Sequence, residues 1–205
     1  MNKMLTAFTA FTALAVIAAP ASAAAVVGKP APNFKAADAN GKPVSLSDFR
    51  GKTVVLEWNN PDCPFVRKHY GSGNMQKAQA AAAKDGVVWL TINSGAPGKQ
   101  GHMSGPEAKT FVAKAGARPT AYLLDPRGVV GKAYDAKTTP HMYIVNKAGI
   151  LVYAGGIDDK PTAKPADING ARNHVLAALS EVKAGKAVSV ATSRPYGCSV
   201  KYPES

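Results

Sequence analysis

Short apolar runs punctuated by glycine and proline divide the chain into blocks of strand and helix length, the layout of alternating α/β structure. Residues 24–40 read as an extended lead-in, since Pro30 and Pro32 keep them out of a helix; Asn40-Gly41 then signals a tight turn into a strand near Val44. Residues 53–58, Thr-Val-Val-Leu-Glu-Trp, form a buried strand. A helix is predicted from Pro64, broken at Gly71-Ser72-Gly73 and resumed from Asn74 as its N-cap to Lys84. Residues 87–93 are the next strand. Ser104-Gly105-Pro106-Glu107 has the form of a capping box and opens a helix that Gly116 closes. A short strand over residues 120–124 and a helical turn or two over 130–136 lead to a hairpin, residues 142–145 and 150–153 around Asn146-Lys147-Ala148-Gly149. A last amphipathic helix over residues 168–183 places Val175, Leu176, Leu179 and Val182 on one face, and a tail follows.

The first 23 residues differ from the rest. One lysine, an apolar stretch over residues 5–19 and Ala21-Ser22-Ala23 have the order of a secretory signal with a small-residue cleavage site. The stretch is shorter than the roughly 20 residues of a membrane-spanning helix, so the mature chain is expected to have no stable membrane insertion. Residues 24–205 suffice for one α/β domain. The net charge of +12 is spread along the chain, with no basic run longer than Arg67-Lys68, which argues against nucleic acid as a partner.

Two cysteines carry the candidate chemistry. Cys63 directly precedes the helix that begins at Pro64, where unpaired backbone N–H groups and the positive end of the helix dipole favour a thiolate. Arg67 and Lys68 add positive charge one turn on; Asp62 opposes thiolate formation unless it caps the helix. Cys198 lies in the tail, and Gly197 before it permits a tight turn back over the site. Val66 occupies the place of a second cysteine in a Cys-x-x-Cys pattern, so a local dithiol is excluded. His141 stands where an imidazole can accept the thiol proton or stabilise the thiolate. Glu57, in an apolar strand, is either a buried proton relay below the sulfur or an edge residue. His69, His102 and His174 read as ordinary surface or partly buried side chains.

A strand, a cysteine at the next helix tip, and Thr138-Thr139-Pro140-His141-Met142 just before a hairpin together resemble the thioredoxin-like plan. Cys63-Pro64-Phe65-Val66, the hairpin ending Gly156-Ile157-Asp158-Asp159, and the tail Gly197-Cys198-Ser199-Val200-Lys201-Tyr202 narrow the resemblance to secreted redoxins related to alkyl hydroperoxide reductase and thiol-specific antioxidant. The resemblance implies an α/β thioredoxin-like fold: a central mixed sheet flanked by helices, with an N-terminal extension and a C-terminal tail. The implied organisation is a signal at residues 1–23, a redoxin domain at 24–185 and a tail at 186–205. It also implies that Pro140 is cis and faces Cys63, with Thr139 and Pro140 binding substrate. Two departures stand out. True peroxiredoxins have Thr or Ser three residues before the attacking cysteine and Pro four before that, where this chain has Asn60 and Leu56.

The expected protein is therefore a periplasmic thiol oxidoreductase without cofactor or metal. Cys63 attacks a protein or small-molecule disulfide or a peroxide, Cys198 resolves the intermediate, and an external thiol reductant reopens the bridge. Two other readings remain open. One is a non-catalytic binding module whose two cysteines form a permanent staple. The other is a copper-handling protein using Cys63, His141 and Met142 or Met103.

Overall fold

The computed structural model describes residues 24–204, so the signal expected over residues 1–23 lies outside the described residues. Strands β1 (Lys35–Asp38) and β2 (Pro43–Ser45) form the first hairpin. Its turn closes because Asp38 Oδ1 accepts from the N–H groups of Asn40 and Lys42, with Gly41 at φ 81°. Next come β3 (Val54–Trp58), α1 (Pro64–Gly71), α2 (Asn74–Lys84), β4 (Val88–Asn93), α3 (Gly105–Lys114) and β5 (Ala121–Leu124). The second half holds α4 (Val129–Ala133), β6 (Thr138–Thr139), β7 (His141–Val145), β8 (Leu151–Gly155), α5 (His174–Lys183) and β9 (Cys198–Ser199).

Seven strands form one mixed sheet in the order β2-β1-β5-β4-β3-β7-β8. β3, β4 and β5 are parallel; β7 runs antiparallel to β3, and β8 to β7. The central strands β3 and β4 are buried at every position, which is why they read as unbroken apolar runs rather than alternations. The pleat still sorts their side chains. Val55, Trp89, Met142 and Ile144 pack with Cys63 on one face; Val54, Leu56, Trp58, Leu90, Tyr143 and Val145 pack on the other. Each fully buried aliphatic side chain in these layers contributes roughly 1.5–3 kcal/mol.

Two local expectations change. Asn74 is the first residue of α2, not its cap: Gly73 takes the cap position at φ 74°, a conformation without steric cost for glycine, and the Asn74 amide instead meets His69. The last helix begins at His174, capped by Asn173 Oδ1 accepting from Leu176 N–H at 2.9 Å. Residues 165–168 make a separate 3₁₀ turn, and Gly170 at φ 78° breaks the path between them.

The tail is part of the folded body. Ser193 N–H donates to the Ala154 carbonyl, and Ser193 Oγ accepts from Gly156 N–H at 2.9 Å. β9 then pairs antiparallel with β6, Thr138 opposite Ser199 and Thr139 opposite Cys198. Beyond it, Lys201 accepts from Ala96 N–H, and Tyr202 OH donates to the Ala136 carbonyl at 2.7 Å. Among the described residues no helix is long and apolar enough to cross a membrane.

Candidate active site

Cys63 is itself the N-cap of α1, at φ −72° and ψ 124°, with Pro64 in the first helical turn. The end of β3 delivers it: Asn59 N–H donates to Ile92 across the sheet, and the next turn closes through Cys63 N–H to the Asn60 carbonyl at 3.0 Å. The side chain is fully buried. Its thiol donates to the Thr139 carbonyl at 3.0 Å, while Cys198 N–H points at Sγ from 3.4 Å. Cys198 is half-buried, and both cysteines are free thiols.

The two sulfurs are tuned apart. Burial pushes the Cys63 thiol up, but donors from the Cys198 thiol, Val66 N–H at the helix tip and Cys198 N–H together outweigh it and leave the group below its ordinary value. The Thr139 side chain adds a smaller contribution in the same downward direction. Cys198 moves the opposite way: burial first, then its hydrogen bond to Cys63 and the charge developing there, push it up to about 11. Cys198 is therefore protonated at neutral pH, and Cys63, the more acidic of the two, is the better nucleophile.

The wall opposite the helix tip is Thr139-Pro140, joined by a cis peptide bond. Gly197 runs so close to it that a Cβ at that position would lie 2.0 Å from the Thr139 carbonyl oxygen, and its φ of 139° also favours glycine. Only a glycine lets the tail reach the sulfur by this path.

The other candidates are placed less as expected. Asp62 does not cap α1; its carboxylate pairs with Arg67 at 3.0 Å, and Arg67 Nε also donates to the Pro61 carbonyl, so these two exposed charges offset one another beside the site. Lys68 turns inward, fully buried, and donates to the Lys160 carbonyl at 2.8 Å. His141 follows the strand alternation onto the sheet face opposite Cys63, where its Nδ1 accepts from Lys137 N–H and meets Tyr143 OH at 3.0 Å. Burial lowers its pKa to about 4, so it is a neutral ring without contact to the sulfur. Met103 packs with Ala108 and Tyr122, apart from the cluster that holds Cys63 and Met142, so the donors named for copper do not converge.

Glu57 is buried inside the sheet and accepts from four donors: Tyr70 OH at 2.7 Å, Trp89 Nε1 at 2.8 Å, Thr91 Oγ1 at 3.1 Å and Asn59 Nδ2 at 3.2 Å. Burial raises its pKa more than these bonds lower it. Tyr70, in α1, is its link to the helix that carries Cys63, and no hydrogen bond joins Glu57 to the sulfur directly. Sequence reasoning missed a second buried group beside α1: Asp158, His69 and Lys68, met by Tyr196 of the tail. Its signal was present, because Asp158 ends the hairpin segment and Tyr196 stands two residues before Cys198.

Residues 27–154 match the AhpC/TSA family, a span of more than half the chain. The chain belongs to the AhpC/TSA family. The match ends at β8, before the tail that brings Cys198 to the site. Thiol-disulfide oxidoreductase ResA of Bacillus subtilis (strain 168) is 29% identical over 132 residues, which cover 61% of this chain and 64% of ResA. The chain thus spans a little under two thirds of that relative's length.

Two solved structures agree over most of the molecule. An uncharacterized conserved protein from Geobacillus kaustophilus is 28% identical at a TM-score of 0.74, covering 88% of this chain and 94% of its own. A hypothetical protein from Sinorhizobium meliloti 1021 is 25% identical at 0.73, covering 88% and 96%. A putative thiol:disulfide interchange protein DsbE from Chlorobium tepidum, 24% identical at 0.52 over 64% of this chain and 85% of its own, shares the fold. The fold is thioredoxin-like, as the resemblance implied.

Proposed function

We propose that this AhpC/TSA-family chain is a thiol-disulfide oxidoreductase that works outside the cytoplasm, with Cys63 as nucleophile and Cys198 as resolving cysteine. The observation that carries the reading is the juxtaposition of the two thiols, with Cys198 donating to Cys63 from the paired strand β9. The Cys63 thiolate attacks one sulfur of a client disulfide, forming a mixed disulfide and releasing the other client sulfur as a thiolate that takes up a proton. Once Cys63 is in that bond, its charge and hydrogen bond no longer add to the burial that holds Cys198 protonated. Cys198 then loses its proton and attacks the Cys63 sulfur, releasing the second client thiol and closing a Cys63–Cys198 bridge. The client gains two electrons and the protein loses two. An external dithiol reopens the bridge.

Thr139 and Pro140 are assigned to client binding, because the Thr139 backbone lies beside the sulfur at a strand edge. A disulfide is favoured over a peroxide by the surroundings of the sulfur. Asn60, at the position where a peroxiredoxin has a hydroxyl, has its Oδ1 engaged by Asp62 N–H and its amide by Gln100, and Arg67 is held by Asp62 and the Pro61 carbonyl. The Asn60 amide thus has no donor left over to polarise an O–O bond, and Arg67 is turned toward Asp62 and the Pro61 carbonyl. The extracytoplasmic, periplasmic location rests on the signal pattern of residues 1–23. Residues 24–185 and the tail 186–205 are assigned to one working unit, since the tail supplies the second thiol.

The test is turnover of the reduced protein, in parallel, with hydrogen peroxide and with a disulfide such as oxidised glutathione. Consumption of the disulfide at the higher rate supports the assignment. Preferential consumption of peroxide, or of neither, overturns it.

A further inference from the structure

The buried charges beside α1 have no part in the exchange steps, yet they hold the tail. Lys68 and Asp158 lie 3.8 Å apart with side chains essentially without solvent contact. Asp158 Oδ1 accepts from Lys160 N–H at 2.9 Å and from the Tyr196 hydroxyl. Its Oδ2 has no hydrogen-bond partner and faces Lys68 Nζ and His69 Nε2, the latter at 3.9 Å. On the other side, the Asn74 amide donates to His69 Nδ1 at 2.8 Å, which leaves the proton of a neutral ring on Nε2. Nε2 can then donate to the Tyr196 oxygen at 3.1 Å, while the Tyr196 proton goes to Asp158. The Lys68 ammonium also sits 5.5 Å from the Tyr196 ring centre, and Phe65 packs edge-on against the same ring at 5.8 Å.

Among the described residues, the hydrogen bonds and ring contacts from this cluster to the tail go to one side chain, Tyr196. Two residues later the chain reaches Cys198, and between them Gly197 presses on the Thr139 carbonyl. β9 therefore lies on the Thr138–Thr139 edge, where an extended client would have to pair. With the tail in place Cys63 has no solvent exposure. An open cleft of about 580 Å³, lined by Phe65, Thr138, Asp158, Arg194, Tyr196 and Gly197, borders the tail at this point.

We propose that Tyr196 and Asp158 form a latch that holds β9 in the client's strand position, so that Cys63 is reached only when this contact opens and Cys198 returns to resolve the mixed disulfide when it closes. The proposal rests on the exchange reading above. Tyr196, Asp158 and His69 are positioning residues: none touches the reacting sulfur.

The experiment measures alkylation of Cys63 by iodoacetamide in the reduced full chain across the Cys63 titration, which separates access from thiolate fraction. Tyr196→Phe keeps the ring against Phe65 and removes only the hydroxyl. It should speed alkylation of the thiolate form about tenfold or more, the value of a buried hydrogen bond to a charged group. Gly197→Ala displaces β9 by a different route, through its clash with Thr139, and should expose Cys63 as well. With oxidised glutathione, wild type should pass on to the Cys63–Cys198 bridge, whereas Tyr196→Phe should accumulate glutathione on Cys63.

Wild-type alkylation in Tyr196→Phe while Gly197→Ala is fast would overturn the latch. So would wild-type rates in both variants, because the tail would then not cover the sulfur. Fast alkylation of Tyr196→Phe with no glutathione accumulation also overturns it, since the hydroxyl would not be placing Cys198. Alkylation by iodoacetamide needs no turnover, so the latch can stand if the exchange assay fails, and the reverse.

Discussion

Glu57 offers a test in which the pattern of hydrogen bonds sets the size of the effect. Its two oxygens accept from four groups, and two of these, Trp89 Nε1 and Asn59 Nδ2, have no acceptor function at those atoms. Tyr70 and Thr91 are hydroxyls and can reverse. In Glu57→Gln the new amide can donate to Tyr70 and its carbonyl can still accept from Trp89 and Thr91. The Asn59 amide is then left unmatched, a cost of about 1–3 kcal/mol. Glu57→Ala strands both fixed donors and opens a cavity, so it should cost about 4 kcal/mol or more.

The pH dependence has a definite sign. Because the folded pKa is raised by burial, the native state holds the Glu57 proton more tightly than the unfolded chain does. That contribution is complete below the ordinary carboxylate value and is lost as pH rises through the folded pKa. The advantage of wild type over Glu57→Gln should therefore be greatest near pH 4 and shrink at higher pH. Urea unfolding of all three proteins along a pH series measures it. An alanine variant no worse than glutamine, or a wild-type advantage that grows with pH, would refute the reasoning.

Other expectations follow from the same geometry. Cys198→Ala removes the thiol donor and should raise the Cys63 midpoint in a thiolate absorbance titration; an unchanged midpoint would mean that Cys198 does not tune the sulfur. His69, lowered by burial to about 4 from an ordinary 6.5, should cost up to about 3 kcal/mol of stability as pH falls from 6.5 toward 4. Buried His141 acts in the same window, so His69→Gln should flatten only part of that acid limb, read by urea midpoints. Gly101→Ala would place a Cβ 1.9 Å from Asn60 Oδ1 at a φ of 80°, and should destabilise by about 2 kcal/mol in thermal or urea unfolding.

Much of this molecule could be read from the sequence because local signals agreed with the fold. The continuous apolar runs of β3 and β4, the capping box at Ser104 and Glu107, and the hairpin around Asn146 each carry their own structural instruction. Cys63 was legible because a proline after a strand marks a helix tip. The misplacements have a common cause. Lys68, His69 and His141 were given surface or sulfur-facing roles by residue type, whereas their positions on α1 and β7 turn them into the core, where partners from distant segments receive them. Asp158 and Tyr196 meet across 38 residues of sequence, and no period or local motif encodes such a contact. The tail was legible in its cysteine and glycine but not in its path, which depends on the unpaired edge of β6.

The central claim is that Cys63 and Cys198 exchange electrons with a client as a pair. The most direct measurement treats reduced protein with one equivalent of oxidised glutathione and maps peptides without reduction. The expected result is a Cys63–Cys198 link within one chain, two released glutathione thiols, and ready reopening by a mild dithiol. The chain-entropy estimate allows a loop spanning 135 residues at most about 5 kcal/mol of stabilisation. A bridge that resists mild dithiol would indicate a permanent staple. Two free thiols after oxidation, or a link only between chains, would contradict the account.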